Sequence, residues 1–360
     1  MVPLPKSFQR HGHDASRPAS KSRAGTAQGL RIIAAGLAAL ILAGPGPAAQ
    51  APPAVDVSGT AVRVDGRPTF LLGASLFDAL GPVPPRDSDL EALVGWGVGL
   101  VRVWAHWTEP IYQRDGALTP VGRRRLLALV ERLGTRKLLL ELVLLRPGQL
   151  PGQGSTAFAS PEARLRAVRE ITSALRSFHN VLFDLYNEHD HPGGPISHAD
   201  ARAIRDAVKA VDPNRVVTIS STEYHLVAPT GRVGDNELRN LREEALNLEG
   251  SVGVDVVAVH LPRTGDWAAA TGSRVGVLRA ALDRLGVSIP LYLNEERRAV
   301  PGTPLPSGDY QQAVSIARRA GAAGWVFHTA AGYDLSARPF GDALGAEERL
   351  ALTKLKPAAQ

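Results

Sequence analysis

Two short segments of this chain stop on a glutamate, Phe183-Asp-Leu-Tyr-Asn-Glu188 and Ile289-Pro-Leu-Tyr-Leu-Asn-Glu295. Each is an apolar run with a carboxylate at its C-terminal end. Two facing carboxyl groups, one protonated and one ionised, are the machinery that cleaves an acetal bond: one gives its proton to the departing oxygen while the other attacks the carbon or directs water onto it. Counting back in twos, Glu188 shares a strand face with Tyr186 and Asp184, and Glu295 with Leu293 and Leu291. The expectation is that this face is a barrel interior and that both glutamates reach its rim.

Bringing two such ends together requires parallel strands whose C-terminal ends lie on one side. From about residue 56 the sequence alternates between short β-branched runs and stretches of helical spacing. Predicted strands are Phe70–Ser75, Leu100–Trp104, Lys137–Leu145, Val181–Asn187, Arg215–Ser220, Val254–Leu261, Ile289–Asn294 and Gly324–His328. Predicted helices run over 87–95, 119–134, 160–178, 198–211, 236–248, 273–286, 309–321 and 342–355, with caps at Ser160-Pro161 and at Ser197, three residues before Asp200. Strands apolar on both faces and alternating with helices imply a parallel sheet buried on both sides, and eight such units imply a closed α/β barrel, a (β/α)8 TIM barrel forming a single domain over residues 52–360. The connections after strands are long and rich in Gly and Pro, as in residues 146–154, 191–195 and 300–308, while those before strands are short. Long loops on the C-terminal side are what build a cleft. None of them has phosphate-cradling spacing.

With these motifs in order, the chain resembles the clan A glycoside hydrolases, the cellulase-like barrel glycosidases. In that family an Asn-Glu pair ends strand four and a second Glu ends strand seven, and Val101-Arg-Val-Trp-Ala-His-Trp107 is similar to its strand-two segment. The resemblance spans about residues 56–345. It implies that Glu188 is the general acid/base and Glu295 the nucleophile of a retaining cleavage of β-linked glycans. It further implies that Arg102 keeps the nucleophile ionised, that Asn187 binds the sugar 2-hydroxyl, and that Trp104 and Trp107 line the cleft. His260, ending strand six, matches the family's His there. The family's Tyr after that His is missing, because the chain reads Leu261-Pro262-Arg263; Tyr224, past strand five, is a substitute that does not match by position. Trp325 stands early for the family's strand-eight Trp, and His328 occupies the rim. Glu296 competes with Glu295 for the nucleophile's place, and each of the named side chains also has a structural reading, as a core aromatic or an ion-pair partner. The expected partner is a poly- or oligosaccharide, with no cofactor and no bound metal. Two other readings are a glycan-binding barrel without catalysis and a metal-dependent barrel hydrolase or isomerase using the segment Glu188-His-Asp-His191 with His260 and Glu295.

The composition narrows the class. Of the formal charge of +6, residues 1–51 carry +5. In that leader, basic residues precede the uncharged stretch 32–43 and a Pro/Ala-rich segment with Ala49-Gln50-Ala51, the order of a signal peptide. The remainder is near neutral, with no basic stripe of the kind nucleic acid requires, and the expectation is a secreted or periplasmic protein without stable membrane insertion. The absence of cysteine excludes disulfides and thiolate metal sites.

Overall fold

The computed structural model describes residues 51–148, 157–222, 235–261, 263, 265–299 and 303–355. The chain opens with a small antiparallel sheet, β1 (Val55–Ser58), β2 (Ala61–Val64) and β3 (Arg67–Pro68). The parallel strands and helices then alternate: β4 (Leu71–Ser75), α1 (Asp87–Gly95), β5 (Leu100–Trp104), α2 (Pro120–Thr135), β6 (Leu139–Val143), α3 (Pro161–Leu175), β7 (Val181–Asp184), α4 (His198–Val211), β8 (Val217–Thr218) and β9 (Ser220–Ser221). They continue with α5 (Asp235–Asn247), β10 (Val257–Val259), α6 (Trp267–Arg284), β11 (Leu291–Leu293), α7 (Ser307–Arg319), β12 (Gly324–Phe327), α8 (Phe340–Ala343) and α9 (Ala346–Leu355).

The sheet order is β8-β7-β6-β5-β4-β12-β11-β10-β9, every neighbour parallel. Its two ends, β8 and β9, are halves of one strand interrupted at Ile219. The first half pairs with β7 and the second with β10, so nine hydrogen-bonded strands occupy eight positions around a nearly closed barrel. The eight expected strands are all present, most of them shorter than expected at one or both ends. Ser160 and Ser197 cap α3 and α4 through their hydroxyls, as their positions predict. Two helices depart from expectation. α6 starts six residues early, where the Asp266 side chain accepts from Ala269 N–H, and the predicted 342–355 helix is divided at Leu344-Gly345.

Alternate strand residues divide the core into two layers. Leu72, Val101, Val103, Leu140, Phe183, Leu291 and Leu293 face the helices. Leu71, Leu100, Leu139, Leu182, Val216, Val256 and Val326 face inward and form a plug at the N-terminal end, on which Val62, Val55, Val57 and Val64 of the first sheet pack. That end is therefore sealed by apolar burial, at about 1.5–3 kcal/mol per large side chain. The polar interior lies at the other end.

The loop entering α2 is fixed by a close approach. Gly116 has φ +87°, and a Cβ there would lie 1.9 Å from the Ala163 carbonyl oxygen of α3. Gly116→Ala is expected to cost about 2–5 kcal/mol, from the left-handed backbone and the overlap together; a denaturant midpoint equal to that of the wild type would refute this.

Candidate active site

Inward-facing residues above the apolar plug carry the chemistry. Arg102 of β5 is fully buried and forks to three carboxylates: Nε donates to Glu141 Oε1 (3.0 Å), Nη2 to Asp184 Oδ2 (2.7 Å) and Nη1 to Glu295 Oε2 (2.8 Å). Nη2 also donates to Asn187 Oδ1 at 2.8 Å. Burial works against the guanidinium's charge, but Glu141, Asp184 and Glu295 outweigh it and hold the group firmly cationic. Glu141 is pushed up by burial, with Arg102 opposing, and it accepts from Tyr292 O–H (2.7 Å) and Asn294 Nδ2 (2.9 Å). Asp184 accepts from Ser220 Oγ at 3.1 Å. Glu141 and Asp184 were not singled out in the sequence. The signal that finds them is alternation, since Arg102, Glu141 and Asp184 occupy inward positions of three successive strands and Arg102 pairs with Glu141 in register.

Both glutamates reach the mouth, though not by strand alternation. β11 ends at Leu293, and its Leu291 and Leu293 face the helices while Tyr292 and Asn294 point inward. The expected shared face of Glu295, Leu293 and Leu291 is thus corrected: the chain leaves extended geometry before Glu295. β7 likewise ends at Asp184, Tyr186 packs outward with its hydroxyl on Gly194 O, and Glu188 adopts a left-handed φ of 55° while its N–H donates to Ser220 Oγ. Such a backbone in a non-glycine residue costs about 1–2 kcal/mol. Here it aims the carboxylate into the cleft.

One oxygen of Glu188, one of Glu295 and a ring nitrogen of His260 all lie within 4.8 Å of each other. His260 Nδ1 is 3.2 Å from Glu188 Oε1, and its Nε2 is 3.9 Å from Glu295 Oε2. Arg263 Nη2 donates to the Glu295 side chain (3.2 Å) and to its backbone carbonyl (3.0 Å). Burial alone would raise the Glu295 carboxyl; the facing cations, Arg263 and Arg102 among them, reverse this and hold it well below the usual carboxylate range. His328 Nε2 lies 3.5 Å from Glu295 Oε1 and receives Arg298 Nη1 at 2.8 Å. A guanidinium has only donors to offer, so this nitrogen is an acceptor and the ring is neutral, in line with the burial that drives His328 well below the ordinary imidazole value. With that ring neutral, Arg102 and Arg263 keep Glu295 ionised. Arg263 stands where the expected Tyr is missing. Removing its charge as Arg263→Met should raise the Glu295 pKa, because a lost cation disfavours the carboxylate, and so move the acid limb of any kcat/KM profile to higher pH. An unmoved limb would exclude Arg263 from that role.

The wall of the cleft is aromatic. Trp104 faces inward, 2% exposed, stacked on Phe77 at 3.8 Å and covered by the Arg102 guanidinium at 4.4 Å, so both of its faces are occupied. Trp107 is more open, donates Nε1–H to Tyr333 O and packs against Phe77 and Tyr333. Tyr333, unread in the sequence, lies near Arg298, Glu295, Arg263 and Glu188; burial first, with Glu295 and Glu188 against the arginines, pushes its hydroxyl up to about 12. Trp325 belongs to the outer layer with Tyr310 and Phe327 rather than to the cleft. Tyr224 lies outside the described residues. Two groups have metal-ligating geometry among the described residues: Glu188, His260 and Glu295 in the cleft, and His189, His198 and Glu244 behind it.

The fold recurs in solved structures. The chain is similar to the endo-1,4-β-mannanase of Eisenia fetida (TM-score 0.56, 16% identity, 86% of this chain and 96% of that one). It is similar also to the β-mannanase of the blue mussel Mytilus edulis (TM-score 0.56, 15% identity, 86% and 97%) and to the endo-1,4-β-mannanase of Rhizomucor miehei (TM-score 0.60, 12% identity, 84% and 98%). At these identities the likeness establishes the (β/α)8 barrel. No protein-family model and no curated protein sequence matches the chain.

Proposed function

We propose that the chain is a glycoside hydrolase that cleaves β-linked glycans with retention of anomeric configuration, Glu295 acting as nucleophile and Glu188 as general acid/base. The observation that carries this reading is the approach of the two carboxylates to within 4.8 Å at the barrel mouth. Retaining enzymes place their carboxyl groups about 5–5.5 Å apart, whereas inverting enzymes need about 6.5–9.5 Å to admit a water. Glu295 is held ionised by two guanidiniums, as attack on the anomeric carbon requires, and its leaving partner's proton comes from Glu188 across the cleft. Asn187 has committed Oδ1 to Arg102, so its amide nitrogen is the group positioned to donate to a sugar hydroxyl, and Trp107 with Tyr333 offers the apolar ring faces on which a pyranose stacks.

The solved neighbours are mannanases, which makes β-1,4-mannan the first substrate to try, alongside aryl β-glycosides and β-glucans. Release of sugar whose first-formed anomer is β by NMR is the expected result; an α-anomer product, or no turnover across the panel, would defeat the proposal. No helix among the described residues is long and apolar enough to cross a membrane. The same proposal has the protein exported on its basic leader, with a mature N-terminus at Pro52 that sequencing of the exported chain would reveal.

A further inference from the structure

Immediately after Glu188 the chain turns His189 away from the cleft, placing its Nε2 2.6 Å from Oε1 of Glu244 on α5. His198, the first residue of α4, brings its Nε2 to 3.9 Å from the other Glu244 oxygen, and the two imidazole rings lie 5.1 Å apart and tilted by 45°. One ligand atom from each of the three residues lies within 4.8 Å of the other two. We infer that His189, His198 and Glu244 form a zinc site that clamps the β7–α4 loop, the start of α4 and the end of α5 together beside the proposed acid/base.

A charge-assisted hydrogen bond between His189 and Glu244 accounts for two of these residues. It leaves His198 unexplained, because 3.9 Å is too long for a hydrogen bond and Nε2 is buried without a partner. A buried polar atom with no partner costs about 1–3 kcal/mol and calls for a ligand. The donor set identifies which. Two imidazoles and one carboxylate match the His2Glu set of zinc, while calcium and magnesium prefer all-oxygen ligands. Tetrahedral ligand atoms on zinc stand about 3.3 Å apart, and one ligand atom from each of the three residues already lies within 4.8 Å of the others, so side-chain rotation rather than backbone movement closes the site. His189 and Glu244 are buried, and His198, with 31% of its side chain exposed, provides the entry path. The inference does not rest on the glycosidase reading, since zinc binding is read without turnover.

The test is equilibrium dialysis of the metal-stripped full chain against zinc chloride alone, followed by elemental analysis and by thermal denaturation with and without the ion. One zinc per chain and a raised unfolding temperature are expected. His198→Ala, a change at a partly exposed helix start, should weaken zinc binding by at least about 10–100-fold, while Glu188→Gln should leave it unchanged. Zinc retained no better than calcium, or held equally by His198→Ala, would overturn the inference; loss of zinc in Glu188→Gln with retention in His198→Ala would move the ion to the cleft and overturn it as well.

Discussion

Glu295→Ala is expected to abolish turnover of β-glycans, lowering kcat by a factor on the order of 10⁴ to 10⁶, or about 5.5–8 kcal/mol of transition-state stabilisation. The reason is geometric. Glu295 is the carboxylate gripped by Arg102 Nη1 and Arg263 Nη2, and truncation leaves a gap next to two cations at the anomeric carbon's place. A small anion such as azide fits both the space and the charge, so it should restore reaction with activated aryl glycosides and yield a glycosyl azide of inverted configuration. Glu188→Ala should behave differently. A dinitrophenol leaving group needs no proton, so its release should persist while cleavage of the natural glycan collapses, and azide should now give the product of retained configuration. Glu296→Ala, at the buried residue next in the chain, should keep most activity. Azide rescue in Glu296→Ala rather than in Glu295→Ala would assign the nucleophile to the wrong neighbour here and discard the register on which the mechanism rests.

How far these residues could be read before the fold was known depended on what held them. The eight barrel strands and their helices follow hydrophobic period and turn chemistry, both local, and α1 over 87–95 and β5 over Leu100–Trp104 agree with expectation to the residue. The opening sheet escapes such a reading because its strands are short and only half-buried. Its signal was present in the alternating valines 55, 57, 62 and 64 and in the Asp65-Gly66 turn. Glu188 and Glu295 were legible as strand-end acids, yet the face counted for Glu295 was wrong, since the turn after Leu293 rather than the pleat carries it inward. Glu141 and Asp184 were obscured because acids are rare inside a core, and only the third dimension brings one arginine between them. Arg263, Arg298 and Tyr333 come from loops, where no period constrains a side chain.

Arg102→Met should be the most destabilising single change in the cleft. It removes the cation that Glu141, Asp184 and Glu295 share in the interior, and breaking a buried charge set by deleting one partner costs about 3–5 kcal/mol, a large part of the about 5–15 kcal/mol that holds a domain folded. The cost should depend on pH in a defined direction. In the wild type, Glu295 is depressed below its unfolded value, so its contribution is present above the ordinary carboxyl range and is lost as pH falls through the folded value. Without Arg102 the Glu295 carboxyl loses a cation that holds it down, Glu141, already raised by burial, loses the cation opposing that rise, and the variant gains relative stability as these two acids take up protons. Urea unfolding should therefore show a larger gap between wild type and Arg102→Met at pH 7 than at pH 5. Adding Glu141→Gln to the variant should close part of the gap at pH 7, because it removes one of the three stranded acids while Tyr292 and Asn294 still hold the amide. Arg102→Lys, which cannot fork to three acceptors, should fall between wild type and Met and serves if Arg102→Met does not fold. A pH-independent gap, or a loss below about 1 kcal/mol, would mean that the acids are already protonated around Arg102, and Glu295 would then lack the charge with which it is proposed to attack.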